Sequence, residues 1–185
     1  MGGVAKGLLE MGGERIIDRI AGAMRPLTSR MLIISSDSGA AEWLPGAEVI
    51  PDERPGGGAL AAIATALRAA ASDVVVVAWD MPFVTDDVLR PLLGAGDEYD
   101  ATIWQLPSGN EPLCACYRQS ALPLLDAAIA RGIRRARDAA SILRVRVLAD
   151  PPARGVSSFL SINTPSDLIR ARQLAVPDRT PLARH

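Results

Sequence analysis

The chain has 185 residues, 49% apolar and 22% charged, with a formal net charge of −1. A chain of this length makes one domain with a core of its own, and near-neutral charge excludes a surface that tracks nucleic-acid phosphates. The single histidine is the last residue, His185, which excludes imidazole catalysis and histidine-rich metal sites.

The opening MGGVAKGLLEMGG has no apolar core ahead of a small-residue cleavage site, so no secretory signal is read there. Lys6 within it is either a solvated side chain or a point charge for a phosphate. Glu14–Arg25 spaces Ile16, Ile17, Ile20 and Met24 along one side and predicts a helix. Met31–Ser35 reads as a strand. The Ser35-Ser36-Asp37 that follows either caps a helix starting near Gly39 or hydrogen-bonds a base or ribose. A short strand at Glu48–Ile50 comes next. Behind it, Asp52 and the run Gly56-Gly57-Gly58 lead into an alanine-rich helix over Ala59–Ala71, with Leu60, Ile63 and Leu67 in register. Glycines let a backbone approach a ligand, and a helix N-terminus offers unpaired amides to an anion. A flexible turn that merely starts a helix explains the same residues equally well.

Val74–Trp79 is apolar throughout, as expected of a strand covered on both faces, and is far too short to span a bilayer. Asp80 follows it, within Trp79-Asp80-Met81-Pro82-Phe83. Ligands of open α/β sheets bind beyond the carboxyl ends of strands, and one carboxylate there suits Mg²⁺, which keeps waters and draws its other ligands from phosphates. The plainer account is a turn or capping aspartate. A helix over Asp86–Leu93 takes Thr85 as N-cap. Strands follow at Ala101–Leu106 and Leu113–Tyr117. In the latter, Cys114 and Cys116 share one face; they sit near the upper limit for a disulfide, are too few for zinc, and read as buried filler. Beyond a helix at Ala121–Arg131, the cluster Arg131, Arg134, Arg135 and Arg137 is either a solvated face or a groove for an anion. The last strand is Val145–Leu148 and the last helix Pro165–Leu174, opened by Thr164 and Asp167 as a capping box with Asp in place of Glu. Asn163, just outside it, is a turn residue or a contact for a second substrate. The alternation predicts an α/β domain over residues 1–176, a mostly parallel sheet with helices on both faces, and a flexible tail over 177–185. The chain reads as cytoplasmic, with reduced cysteines.

Taken in order, these pieces resemble the molybdenum cofactor guanylyltransferase family. The residues that carry the resemblance are the Lys6-bearing Met1–Leu9, Ile50-Pro51-Asp52 with Gly58–Ala62, Asp80–Phe83, Glu111–Tyr117, Gly132–Arg135 and Ile162–Leu168. The resemblance implies a Rossmann-like nucleotidyltransferase sandwich that transfers GMP from GTP to the terminal phosphate of molybdopterin, releasing pyrophosphate, with Mg²⁺ as cofactor. It implies Lys6 and Asp80 as catalytic residues and Asp80 as the metal ligand. Lys6, Asp37, Asp52, Gly57, Gly58, Leu60 and Asp80 would meet the nucleotide, and Glu111, Pro112 and Asn163 the molybdopterin; other cofactor-handling proteins are further partners. Two positions depart from the family pattern: Ala5 stands where aspartate is usual, and Asp37 where asparagine is frequent. Aspartate accepts hydrogen bonds but cannot donate an amide pair, so a cytidylyltransferase or a sugar-phosphate nucleotidyltransferase of the same fold stands as an alternative, as does a non-catalytic molybdopterin-binding partner. Family members also carry a strand and a Leu-Ala-Gly-Gly type loop ahead of the position of Met1. Without that strand, those at Met31 and Val74 are expected to have an unpaired edge each or to close on one another, and an upstream reading frame is expected to encode it.

Overall fold

A computed structural model describes residues 5–152 and 156–175; Met1 of the N-terminal signature and the expected tail at 177–185 lie outside the described residues. The chain opens with a 3₁₀ turn at Lys6–Leu8 and a two-rung antiparallel hairpin, β1 (Glu10–Met11) and β2 (Glu14–Arg15). Helix α1 (Ile16–Met24) buries Ile16, Ile17, Ile20 and Ala21. Strands β3 (Leu32–Ile34) and β4 (Glu48–Ile50) pair in parallel, and α2 (Gly58–Ala70) leads to β5 (Val74–Val77). Then come α3 (Asp86–Leu89), β6 (Ala101–Leu106), β7 (Gly109–Tyr117), α4 (Leu122–Ala130), α5 (Ala136–Ala139), β8 (Val145–Leu148) and α6 (Pro165–Ala175). No described helix is long and apolar enough to cross a membrane.

The larger sheet has the order β5-β7-β6-β8. It is mixed rather than mostly parallel: β7 runs antiparallel to both β5 and β6, while β6 and β8 are parallel. The reversal comes from a tight hairpin in which Leu106 pairs directly with Gly109, whose φ of 110° suits glycine alone. Past Ile103 the register on β7 jumps from Ala115 to Glu111. Pro112 lies in that bulge, where its missing N–H leaves no gap in the ladder.

Period-two alternation assigns the two faces. Val75, Val77, Cys114 and Cys116 pack with α1, α3 and Phe159 on one side. Val74, Val76, Ala115 and Tyr117 pack with α2, α4 and α5 on the other. Both cysteines are buried and unbridged, as expected, and burial pushes their thiols up to about 12 for Cys114 and about 11 for Cys116. Two helix ends correct or complete the sequence reading. Thr85 stands at the N-cap of α3 but makes no side-chain cap bond, and α3 gives way to a 3₁₀ turn at Arg90–Leu92, where Pro91 cannot donate. Thr164 and Asp167 do form the reciprocal box: the Asp167 amide donates to Oγ1 at 3.1 Å and the Thr164 amide to Oδ2 at 2.7 Å.

The β3–β4 pair is a separate sheet from the one that starts at β5. Between them lies a cavity of about 720 Å³ that touches β3 from Leu32 to Ile34 and β5 from Val74 to Val77. Of the two arrangements expected for these strands, unpaired or closed on one another, the first holds: α1 lines the gap with Ile17 and Ile20, α2 with Ile63 and Ala66. At one end, Arg30 donates to the carbonyls of Ala69 and Ala70 and pairs with Glu48.

One buried polar group fastens β6 to β8 at the other side of the sheet. Asp100, 1% exposed, accepts from Ser120 Oγ and from the backbone and guanidinium of Arg144. The Arg144 guanidinium, foremost, holds its carboxyl at about 2, below the ordinary 3.8. A carboxyl depressed in the folded state contributes stability above its unfolded value and loses it as pH falls through the folded one. Asp100→Asn should therefore lower stability near neutrality by about 1–2 kcal/mol once the exposure of Arg144 is allowed for, and the gap between variant and wild type should close as pH falls from about 4 toward 2. Urea titrations across that range check both.

Candidate active site

The groups expected to act on a substrate lie at the open ends of β3, β4 and β5. Asp80 follows β5, which is anchored to β7 by the Ala78 amide donating to Leu113 O at 2.8 Å. Its backbone carbonyl accepts the Ile162 amide at 2.9 Å, and this bond sets Asn163 beside it. The 3₁₀ turn at the start of the chain brings up Lys6. Its ammonium donates to Asn163 Oδ1 at 2.7 Å and stands 3.8 Å from Asp80 Oδ2. Residues at both ends of the described chain thus converge on one carboxylate. Burial raises the Asp80 carboxyl above the ordinary carboxylate range, and the Lys6 charge partly opposes that.

Glu111 is half-buried beyond the β7 bulge, and its Oε1 accepts the Leu113 amide at 3.1 Å. Burial raises its carboxyl, the Leu113 amide and Arg137 pull it back, and the Asp80 charge raises it further. Pro112 is buried, and its carbonyl accepts the Tyr117 hydroxyl at 2.9 Å, an arrangement that holds the bulge together.

A second set of groups gathers after β3 and β4. The Asp52 amide donates to Ser36 Oγ at 3.2 Å, tying the two strand ends, while Asp52 Oδ1 accepts the Arg54 amide at 3.0 Å. Asp37 Oδ1 accepts the Gly39 amide at 2.8 Å and so begins the 3₁₀ turn at Ala40–Glu42. Asp37 is exposed and Asp52 partly so, and each shapes its own loop.

The glycine run meets a neighbour within the chain. The Gly57 amide donates to Arg54 O at 2.8 Å, and the Leu60 amide to Arg134 O at 3.2 Å. A Cβ on Gly58, at φ +73°, would stand 2.8 Å from the same Arg134 oxygen; one on Gly57 would meet Ala61 Cβ at 2.6 Å. The close backbone approach at these glycines is that of the arginine-rich loop. Arg131, Arg134, Arg135 and Arg137 are all exposed; Arg134 lies against the first turn of α2, and the Arg137 charge acts on the Glu111 carboxyl.

Two aromatic residues at this end escaped the sequence reading. Trp43 and Trp79 lie with ring centroids 5.4 Å apart, and both line the cavity, as do Ser35 and Asp80. Their signal was composition: the chain has only three tryptophans.

The family model for the MobA-like NTP transferase domain matches residues 1–153. A probable molybdenum cofactor guanylyltransferase from Pelotomaculum thermopropionicum is 31% identical over 96% of this chain and 89% of its own length. One from Chloroflexus aggregans is 33% identical over 90% and 85%. Among solved structures, molybdopterin-guanine dinucleotide biosynthesis protein A from Archaeoglobus fulgidus superposes with a TM-score of 0.78 at 33% identity, covering 93% of this chain and 91% of its own. A 2-C-methyl-D-erythritol 4-phosphate cytidylyltransferase from Thermus thermophilus, at 21% identity and a TM-score of 0.70 over 92% and 93%, shares the fold.

The contact at Gly58 is directly testable. Gly58→Ala places a methyl group against a backbone oxygen in a left-handed conformation, whereas Gly13→Ala, at φ +83° with nothing within 4 Å, suffers the conformational strain alone. That strain is about 1–2 kcal/mol, and Gly58→Ala should lower the free energy of unfolding by clearly more. Equal denaturation midpoints for the two variants would show that the Arg134 carbonyl imposes nothing.

Proposed function

This chain belongs to the MobA-like NTP transferase domain family, and on that premise we propose that it transfers GMP from GTP to the terminal phosphate of molybdopterin. The observation that supports this reading most is the position of the Lys6 ammonium between Asp80 and Asn163. Those are the groups expected on the nucleotide side and on the molybdopterin side, and a group transfer requires its two substrates to meet at one point.

Mg²⁺ fits the donors present. Asp80 offers hard carboxylate oxygen at a strand end, with a cation already beside it. Among the described residues no group of three or more His, Cys, Asp or Glu side chains gathers, so a softer or fully protein-caged ion is a poor match. Asp80 would hold the ion, which supplies charge neutralisation to the triphosphate when bound.

The reaction forms a bond from a molybdopterin phosphate oxygen to the α-phosphorus of GTP and breaks the α–β phosphoanhydride, and the electron pair leaves with pyrophosphate. The attacking phosphate is already ionised near neutral pH, so no side chain must take a proton from it. What the chain must provide is placement and positive charge. Lys6 releases Asn163 and contacts phosphate oxygens, Asn163 presents its amide to the second substrate, and Asp52 and Asp37 face the ribose and base. Glu111, also on the molybdopterin side, keeps its loop in shape through the Leu113 amide. The backbone at Gly57, Gly58 and Leu60 lies alongside the nucleotide, with Gly58 its exposed member.

Pyrophosphate release measured with Mg²⁺, each NTP in turn and molybdopterin tests the assignment. GTP-selective release is expected; CTP-selective release would reassign the base, and no release with any NTP would leave a binding protein. Asp80→Asn should lower turnover by about a hundredfold or more and leave the melting curve in place, since this partly desolvated carboxylate contributes little packing. Wild-type turnover in that variant would remove the metal role.

A further inference from the structure

Trp79 is the one exposed aromatic residue among those described, at 42%, and it directly precedes Asp80. The contrast with Trp104 is informative: that indole is 3% exposed and donates its N–H to Val88 O at 3.0 Å. An indole buries most of its large apolar surface on average, and Trp79 leaves more of its own open than the other two tryptophans do.

The Trp79 ring is nevertheless held. Trp43, itself 6% exposed, lies against it at 5.4 Å between centroids and a tilt of 36°. Gly7 packs so closely that a Cβ there would sit 3.5 Å from both Trp79 Cβ and Cε3. Backbone approaches on one side, an aromatic ring on another, and the remaining surface opens on the cleft that also meets Ser35 and Asp80. A side chain already fixed in one orientation loses little entropy when a flat ligand settles on it.

We propose that Trp79, backed by Trp43, is a stacking platform for a planar, nitrogen-rich bicyclic ring carried by a phosphorylated substrate. The neighbouring Asp80 and Lys6 place the phosphates of such a ligand within one residue of the indole. The purine of GTP and the pterin of molybdopterin share this chemistry. The choice of these two rings rests on the transfer reading above; the platform itself rests on the geometry of the indole.

Calorimetric titration of the full chain separates the possibilities, with wild type, Trp79→Ala and Trp79→Phe each titrated with Mg·GTP, with Mg·tripolyphosphate as a ringless probe, and with pterin-6-carboxylate. Stacking on an aromatic side chain changes affinity by about 5- to 100-fold. Trp79→Ala should weaken one ring-bearing ligand by that factor, leave tripolyphosphate unchanged, and be largely rescued in Trp79→Phe. A loss confined to GTP assigns the purine; a loss confined to the pterin assigns the second substrate. Unchanged affinity for both rings overturns the platform, whatever happens to the melting temperature, and so does an equal loss for tripolyphosphate, which would report a disturbed fold. Failure of the wild type to bind GTP or tripolyphosphate would instead overturn the transfer reading, and the pterin titration would then decide the platform alone.

Discussion

A single partly buried carboxylate organises the working end of this molecule. Removing water from an anion is unfavourable unless other groups take over its solvation. Around Asp80 that task falls to the Lys6 ammonium, from the first turn of the described chain. Its backbone carbonyl, meanwhile, holds the Ile162 amide of the segment before α6. The two ends of the described chain thus meet at the residue that follows β5, one at its side chain and the other at its backbone. In the proposed reaction, the metal ion would take over part of that task from a lysine 3.8 Å away.

Much of the fold could be read from local pattern. The strands at Glu48–Ile50, Ala101–Leu106 and Val145–Leu148 have the bounds that their β-branched and aromatic runs imply. The helix at Pro165 has the capping box read from Thr164 and Asp167. Strand direction was not readable, because side-chain alternation is identical in parallel and antiparallel strands; β7 accordingly turned a sheet expected to be mostly parallel into a mixed one. The first half of β7, Gly109–Pro112, was missed for a related reason. Glycine, asparagine and proline have poor strand propensity, and only pairing with β6 makes the segment extended.

At the site, residue types were more informative than spacing. Asp80 and Lys6 drew notice as a strand-end acid and a lysine near glycines, yet nothing local said that they would meet, or that Asn163, 157 positions from Lys6, would accept a hydrogen bond from the same ammonium. The glycines at 57 and 58 were read as room for a ligand, but a missing Cβ is silent about what approaches, and at Gly58 it is the Arg134 carbonyl that comes close. Trp79 was passed over because its apolar strand promised burial, and only the folded chain shows that the strand ends two residues earlier, at Val77.

The gap between β3 and β5 has a mechanical meaning. Backbone hydrogen bonds are what make neighbouring strands unfold together, and across this gap there are none. The β3–β4 pair instead leans on a small cluster of its own, built from Ile17, Ala21, Ala40, Trp43 and Leu44. Helix α2 touches β3 and β5 alike, and so carries the connection that backbone hydrogen bonds do not. A ligand that touched both halves would lay a second bridge across the gap.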